Sequence, residues 1–427
     1  MYYVALAFLI MMVFIFFGFP IFLAICISSI LVIFALGSPL SLVVTKIFGG
    51  IDSFSLMAIP FFILAGNIMS ESKITDRIVN FADSLVGRFR GGLGHVNILS
   101  SMIFSGIQGS GVADASAIGS IMIPSMVKQG YDKDFAVAVT SSAAVMGPII
   151  PPSIAMIMFA YYTDLSVGKL FLGGLLPGVL LGFGLMVVNF LVFRWRKYDL
   201  ARSKRSVKEI FITGYHSVGA LIMPLIIIFG IVLGIFTPTE SGIAATIYGL
   251  FYGFAISREL KWKRLPAILI DSANTTAIVM IILAVAGIFS NILTRLQFQQ
   301  VIIEKFVTPI ANPYLATLSV MCILVMLGCF IDPSVLIVMF GSTVAAVGSS
   351  LGFDPIHYGV LMVITMLFGA ITPPVGSMLY ISCSIADIPL DKSVRVLLPF
   401  LTVQVAVMLG VLFIPGLVLW VNQLLFK

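Results

Sequence analysis

Long, uninterrupted apolar runs are what most limits the folds open to this chain. It begins MYYVALAFLIMMVFIFF, and comparable stretches recur to its end. A helix needs roughly 20 apolar residues to cross the hydrocarbon core of a bilayer, where every backbone polar group must find a partner. Helices and closed barrels meet that condition. A barrel strand alternates apolar and polar residues over about ten positions, and these runs do not alternate. Charged residues make up only 10% of the chain and mean hydropathy is +1.16, against about 25% charge in soluble domains. A soluble enzyme, a disordered chain and a disulfide scaffold are excluded. The formal charge of +6 implies no nucleic-acid partner, because the basic residues lie between apolar runs and mark orientation in a lipid bilayer. The expected class is an all-α polytopic membrane protein. The first run lacks a basic leader and an A-x-A site, so it reads as a retained helix. Cys26, Cys322, Cys329 and Cys383 lie in apolar stretches without a CxxC pair, and buried free thiols are expected.

Sliding the sequence by 222 residues reveals a repeat. Gly130-Tyr131-Asp132 falls on Gly352-Phe353-Asp354, Gly147-Pro-Ile-Ile-Pro151-Pro152 on Gly369-Ala-Ile-Thr-Pro373-Pro374, and Pro177 on Pro399. With slips of a few residues, Asp114-Ala-Ser116 matches Asp332-Pro-Ser334, and Gly66-Asn67 matches Ser290-Asn291. The shared order of the matches divides the chain into halves, about 1–210 and 211–427. Transporters often contain repeats of opposite orientation, with broken helices at their interface.

Basic residues test that orientation. Crossings are placed at 3–18, 20–38, 52–70, 134–163 and 169–193, then at 216–236, 241–256, 272–294, 355–384 and 396–424. The apolar pairs 93–127 and 313–349 are read as re-entrant hairpins. Nineteen of the 24 Lys and Arg then share one side, leaving Lys46, Lys169, Arg295, Lys305 and Lys427 on the other. Basic loops stay cytoplasmic, so both termini are expected outside and the repeats inverted. Counting each hairpin as two spans leaves the sidedness unchanged, so the hairpins rest on their broken centres. Phe104-Ser-Gly-Ile-Gln-Gly-Ser-Gly111 interrupts one and Cys329-Phe-Ile-Asp-Pro-Ser334 the other.

Polar groups at those breaks are the candidates for chemistry. An aspartate at membrane depth requires a cation or hydrogen bonds, which singles out Asp114 and Asp332; the plainer reading makes each a helix N-cap. Glycine turns carbonyls outward and serine adds hard oxygens, so Ser105, Gly106 and Ser110 join them as sodium-binding candidates, with close helix packing as the alternative. Pro151-Pro152 and Pro373-Pro374 break helices and free upstream carbonyls. Val145, Gly147 and Pro148 in one half, with Gly369 and Thr372 in the other, can offer oxygens to sodium; a simple kink is the alternative. Each tip facing its own Pro-Pro break would create two pseudo-symmetric cation sites, a geometry that spacing alone cannot place. His95, His216 and His357 are scattered at helix ends and read as interfacial. Asn67 and Asn291 can cap helices or join the cation network. The basic run 194–208 reads as a cytoplasmic loop drawn to anionic lipid, and Trp195, Trp262 and Trp420 as interfacial anchors.

Four motifs carry a resemblance: Ser105-Gly-Ile-Gln-Gly-Ser-Gly-Val-Ala-Asp114, Gly147-Pro-Ile-Ile-Pro-Pro-Ser153, Gly234-Ile-Phe-Thr-Pro-Thr-Glu240 and Thr372-Pro-Pro-Val-Gly376. Together they resemble the large membrane subunit of tripartite ATP-independent periplasmic (TRAP) transporters over essentially the whole chain. The resemblance implies a secondary active transporter, not an enzyme. It implies an elevator-type, sodium-coupled importer of organic acids in a bacterial inner membrane, with two re-entrant hairpins. It also implies a small four-helix membrane subunit and a periplasmic substrate-binding protein as partners, with sodium (two ions or more) for coupling and no other cofactor. The chain begins directly at the large subunit, and N-acetylneuraminate is the leading expected substrate.

On this reading, residues 1–92 hold scaffold and arm helices, and 93–168 the first transport element. Residues 169–312 hold further scaffold, a cytoplasmic loop at 194–210 and the second arm. The second transport element covers 313–395, and a C-terminal helix covers 396–427. Sodium from outside orders the tips and creates the anion site, where helix N-termini favour a carboxylate. Gln108, Ser110, Gly111, Ser153, Asp332, Ser334 and Ser377 are the substrate-binding candidates. The main rival is a stand-alone sodium-coupled di- or tricarboxylate symporter of related fold. An intramembrane hydrolase using Ser110 lacks a base in reach, and a passive channel would not accumulate its solute.

Overall fold

A computed structural model describes residues 2–198 and 207–425, and no strand occurs among them. The first half begins with α1 (Tyr2–Phe16), α2 (Ile21–Ala35), α3 (Ser41–Gly49), α4 (Ala58–Glu71) and the amphipathic α5 (Ile74–Val86). A hairpin follows, α6 (Gly92–Gln108) and α7 (Gly111–Lys128), then a broken helix, α8 (Lys133–Ala144) and α9 (Ile154–Thr163), and the long α10 (Val167–Trp195). The second half has α11 (Val207–Val232), α12 (Pro238–Phe251), α13 (Leu265–Arg295) and the short α14 (Phe298–Ile302). A second hairpin, α15 (Pro313–Gly328) and α16 (Pro333–Ser350), leads to a second broken helix, α17 (Pro355–Gly369) and α18 (Ser377–Ala386). The chain closes with α19 (Leu390–Phe413) and α20 (Gly416–Leu425). Of the expected cytoplasmic segment 194–210, residues 199–206 lie outside the described residues.

Four helical stretches are individually long and apolar enough to cross a bilayer: Val167–Trp195, Trp262–Arg295, Pro333–Ser350 and Leu390–Phe413. Two bent pairs raise the number to six. The other apolar helices have 10–17 residues, less than a full span of about 20. One expected crossing is corrected. The stretch 396–424 is not one helix, because α19 stops at Phe413 and Pro415, which has no N–H to donate, separates it from α20. Two other expectations also change. Cys322 is exposed and Cys26 half-buried, although all four thiols are free. His95 and His357 are buried rather than interfacial, bonded through Nε2 to the carbonyls of Arg90 (3.1 Å) and Val411 (2.7 Å).

Start signals set the helix boundaries, and the halves share them. Asp132 stands at the N-cap of α8 and Asp354 at that of α17, 222 residues apart. Ser110 caps α7 and Asp332 caps α16, also 222 apart. The Pro151-Pro152 and Pro373-Pro374 bonds are both cis. These caps correct the slipped match made from sequence. Asp332 corresponds to Ser110, while Asp114 lies a turn inside α7 and caps nothing. Packing crosses between the halves: α7 lies against α8 and α18, and α16 against α17 and α9. The elements α4, α12 and α13 form a second group, with α4 packed on both others.

A polar clamp closes one end of the first half. Arg196, just past α10, donates from Nη1 to Asp132 (2.7 Å) and from both Nη atoms to Asp134 (3.0 and 2.8 Å). Tyr198 donates to Asp132 at 2.6 Å above the rings of Tyr131, Phe135 and Phe193. Hydrogen bonds to charged groups are worth about 1.5–3 kcal/mol. Arg196→Ala should therefore lower the thermal midpoint in detergent by a few degrees, and Arg196→Lys, which keeps the charge without the fork, by less.

Candidate functional site

Both hairpin tips rest on the helix break of their own half. In the first, α6 ends at Gln108, Gly109 turns the chain at φ +64°, and Ser110 opens α7 in an extended conformation. The Gly109 carbonyl accepts from the N–H of Ile154, just past the Pro-Pro pair, at 3.3 Å. The approach is so close that a Cβ on Gly109 would collide with the Pro152 carbonyl. A Cβ on Gly147 would come within 2.9 Å of the Ser110 carbonyl oxygen. In the second half Gly376, just past its Pro-Pro pair, donates to the Cys329 carbonyl at 3.4 Å, and Gly369 meets the Gly328 backbone.

A cavity of about 330 Å³ lies where the tips converge. Gln108, Ser110 and Gly111 line it from the first tip, Asp332 and Ser334 from the second, and Pro148 from the first break. Leu367 and Met378 contribute from the second broken helix. Asn67 on α4 and Thr275 on α13 form the opposing wall, and Gly66 beside Asn67 leaves room for the Gln108 side chain. Asp332 accepts from the Ser334 N–H at 2.9 Å. The N-termini of α7 and α16 both reach this cavity, bringing the partial positive charge of unpaired N–H groups.

The remaining sequence candidates lie around the cavity rather than in its lining. Asp114 is 1% exposed inside α7, and neither carboxylate oxygen has a hydrogen-bond partner. The hydroxyls of Ser100 and Ser101 and Oδ1 of Asn97, on α6, are buried and unpartnered too. Ser105 donates to the Ser101 carbonyl (2.6 Å), and Gly106 lies near Pro224 of α11. Val145, Pro151 and Pro152 are buried within the first break. Ser153 caps α9, accepting from Met156 N–H and donating to the Pro148 carbonyl at 2.5 Å. The second break is more open: Thr372 and Pro373 are half-buried, and Pro374 and Val375 exposed. Thr372 donates to the Phe368 carbonyl (2.8 Å), and Ser377 keeps a buried hydroxyl without a partner.

Sequence reasoning missed part of the wall. The sequence marks Asn67 only as a cap or a cation ligand; in the structure it donates to Ser272 (2.9 Å) and lines the cavity. Its supposed counterpart Asn291 does not line the cavity, and its Oδ1 is buried without a partner. Thr275 went unnoticed, although Ser272-Ala-Asn-Thr-Thr276 is a polar interruption in an apolar span. Ser116, matched only for the repeat, also lines the cavity.

The profile of one protein family, described as "Tripartite ATP-independent periplasmic transporter, DctM component", matches residues 8–417. The large permease protein of a sialic acid TRAP transporter from Vibrio cholerae is 37% identical over 379 residues, covering 89% of this chain and 88% of the relative. The large permease protein of a C4-dicarboxylate TRAP transporter from Pseudomonas aeruginosa is 36% identical over 372 residues, 87% of each. An isethionate TRAP transporter permease from Oleidesulfovibrio alaskensis is 33% identical over 401 residues, 94% of this chain and 63% of the relative.

Docking of the first tip can be tested at its glycine. Gly109→Ala should destabilise the protein more than Gly18→Ala, because both have positive φ but only Gly109 would meet backbone. The strain in the left-handed region costs roughly 1–2 kcal/mol at either position, and the steric conflict adds about 1–3 kcal/mol at Gly109 alone. Thermal unfolding of the two variants measures the difference.

Proposed function

This chain belongs to the family of DctM components of TRAP transporters, and on that premise we propose that it imports a small organic acid, coupled to sodium. Its place is a multi-pass one in the inner membrane, and its work is transport rather than catalysis. Its proposed partners are a small four-helix membrane subunit and a periplasmic protein that delivers the acid. In the proposed orientation both termini are periplasmic.

The observation that carries the reading is the cavity at the converging tips. Its volume falls within the range of small-molecule sites, about 300–1,000 Å³. Two helix N-termini and several amide and hydroxyl groups suit a carboxylate, whereas the Asp332 side chain opposes one. A cation between them removes the conflict, which is why sodium is proposed to bind before the acid. The unpartnered Asp114 carboxylate beneath the first tip is a second place where an ion would relieve a buried charge. Its buried neighbours Ser100 and Ser101 are oxygen donors of the kind sodium takes. The relatives named above carry a sialic acid, a C4-dicarboxylate and an isethionate label, with identities too close to choose among them. N-acetylneuraminate is the first substrate proposed for testing.

Movement follows from the walls of the cavity. One side belongs to the hairpins and broken helices, the other to α4 and α13. The first group is proposed to slide past the second as an elevator built from inverted repeats. The rival reading, a stand-alone symporter, predicts uptake by this chain alone.

Proteoliposomes containing the chain and its partners should accumulate the acid when sodium is imposed outside. Uptake indifferent to the sodium gradient would refute the coupling. Asparagine caps a helix as well as aspartate does, so Asp332→Asn keeps α16 intact and removes only charge. The variant should fold normally and lose sodium-driven uptake at least about tenfold, more than the ~1 kcal/mol of a lost cap could explain. Wild-type uptake by Asp332→Asn would remove that carboxylate from the mechanism.

A further inference from the structure

A second concavity, about 520 Å³, lies outside the transport cavity, between the α5–α6 connection and α10. Arg88, Phe89 and Arg90 form its rim, and Phe183, Met186, Val187 and Phe190 its wall. The wall residues are spaced 3, 1 and 3 apart along α10, so they make one stripe on the helix surface. Phe183 is 58% exposed and Val187 59%. The stripe is about 10 Å long at 1.5 Å per residue, enough for the upper part of an acyl chain. Trp195, 77% exposed, follows on the same helix and marks the interface at this end.

Acyl chains cover every apolar face of a protein in a bilayer, so the stripe alone selects nothing. The rim makes the difference. Arg88 and Arg90 are exposed, and among the described residues neither makes an ion pair. The Arg88 guanidinium lies 5.4 Å from the centre of the Phe89 ring. The Arg90 carbonyl is held by His95, which fixes the backbone of the rim. Below it, Asn189 of α10 donates to the Gly91 carbonyl at 3.2 Å, and a Cβ on Gly94 would collide with the Asn189 amide. The rim is thereby fastened to the wall, and two guanidinium groups without an ion pair among the described residues stand above an apolar slot. Guanidinium forks match phosphate oxygens in geometry and charge.

We propose that this groove is a binding site for an anionic phospholipid, with its phosphate on Arg88 and Arg90 and an acyl chain along Phe190, Val187 and Phe183. The site rests on the chain spanning a membrane and is independent of what the transporter carries. The groove lies where α5 joins the first hairpin, so an occupying lipid would bind directly beside the connection between them.

The test is native mass spectrometry of the full chain from micelles with equal phosphatidylglycerol and phosphatidylcholine. The wild type should retain phosphatidylglycerol preferentially, and excess inorganic phosphate should not displace it. Arg88→Gln with Arg90→Gln should reduce that retention about tenfold or more. Lys261→Gln with Lys263→Gln, which removes two charges elsewhere, should leave it within about twofold. Val187→Trp fills the slot with the charges intact and should lower retention too. Thermal midpoints equal to wild type establish that all three variants are folded. Equal losses from both charge pairs would overturn the site in favour of diffuse attraction. Unchanged retention in the Arg88/Arg90 variant would overturn it, and so would a protein partner that depends on these arginines while no lipid does.

Discussion

Backbone groups freed by broken helices must find partners where no water supplies them, and the rest of the structure follows from how this is done. Two Pro-Pro pairs interrupt helices. Each break is met by a hairpin tip that is itself an interruption, and a backbone hydrogen bond joins the two. Glycines at both contacts allow main chain to approach main chain. Residual helix ends are turned inward, and the N-termini of α7 and α16 reach the central cavity. The cavity is thus a by-product of satisfying the backbone, refined by a few side chains.

Much of this was legible in the sequence because broken helices have an unmistakable composition. Pro-Pro, Asp-Pro and glycine–serine clusters stand out in a chain with so few polar residues, and their order gave both the hairpins and the helix breaks. The pairing of Asp114 with Asp332 failed for an instructive reason. Shared charge suggested equivalence, but the conserved quantity between the halves is the capping role, which serine and aspartate perform alike. Ser110 and Asp332 are therefore counterparts. The wall formed by α4 and α13 was mostly illegible. A lone Asn67 or Thr275 in an apolar helix has no pattern to announce which way it faces. Long-range contact decides that, as it decided that His95 and His357 are buried.

The halves also differ where the repeat would make them alike. Pro151 and Pro152 are buried, while Pro374 and Val375 are exposed. Among buried polar atoms without partners, the first hairpin holds Oδ1 of Asn97, the Ser100 and Ser101 hydroxyls and the Asp114 carboxylate, whereas the second holds the hydroxyls of Thr317 and Thr343. The two hairpin-and-break units thus differ in polarity: the first break is enclosed, while the second is more open and its tip is capped by a carboxylate. Such inequality lets similar architecture hold different species on its two sides.

The clamp at Arg196 has a mechanical consequence. Its forked bonds to Asp132 and Asp134 fasten the last turn of α10 to the first turn of α8. The C-terminal end of α10 is thereby held in place rather than left to fray. A force applied at Arg196 bears on two helices at once. It would therefore displace them as a unit, with little of the pull dissipated in unwinding α10.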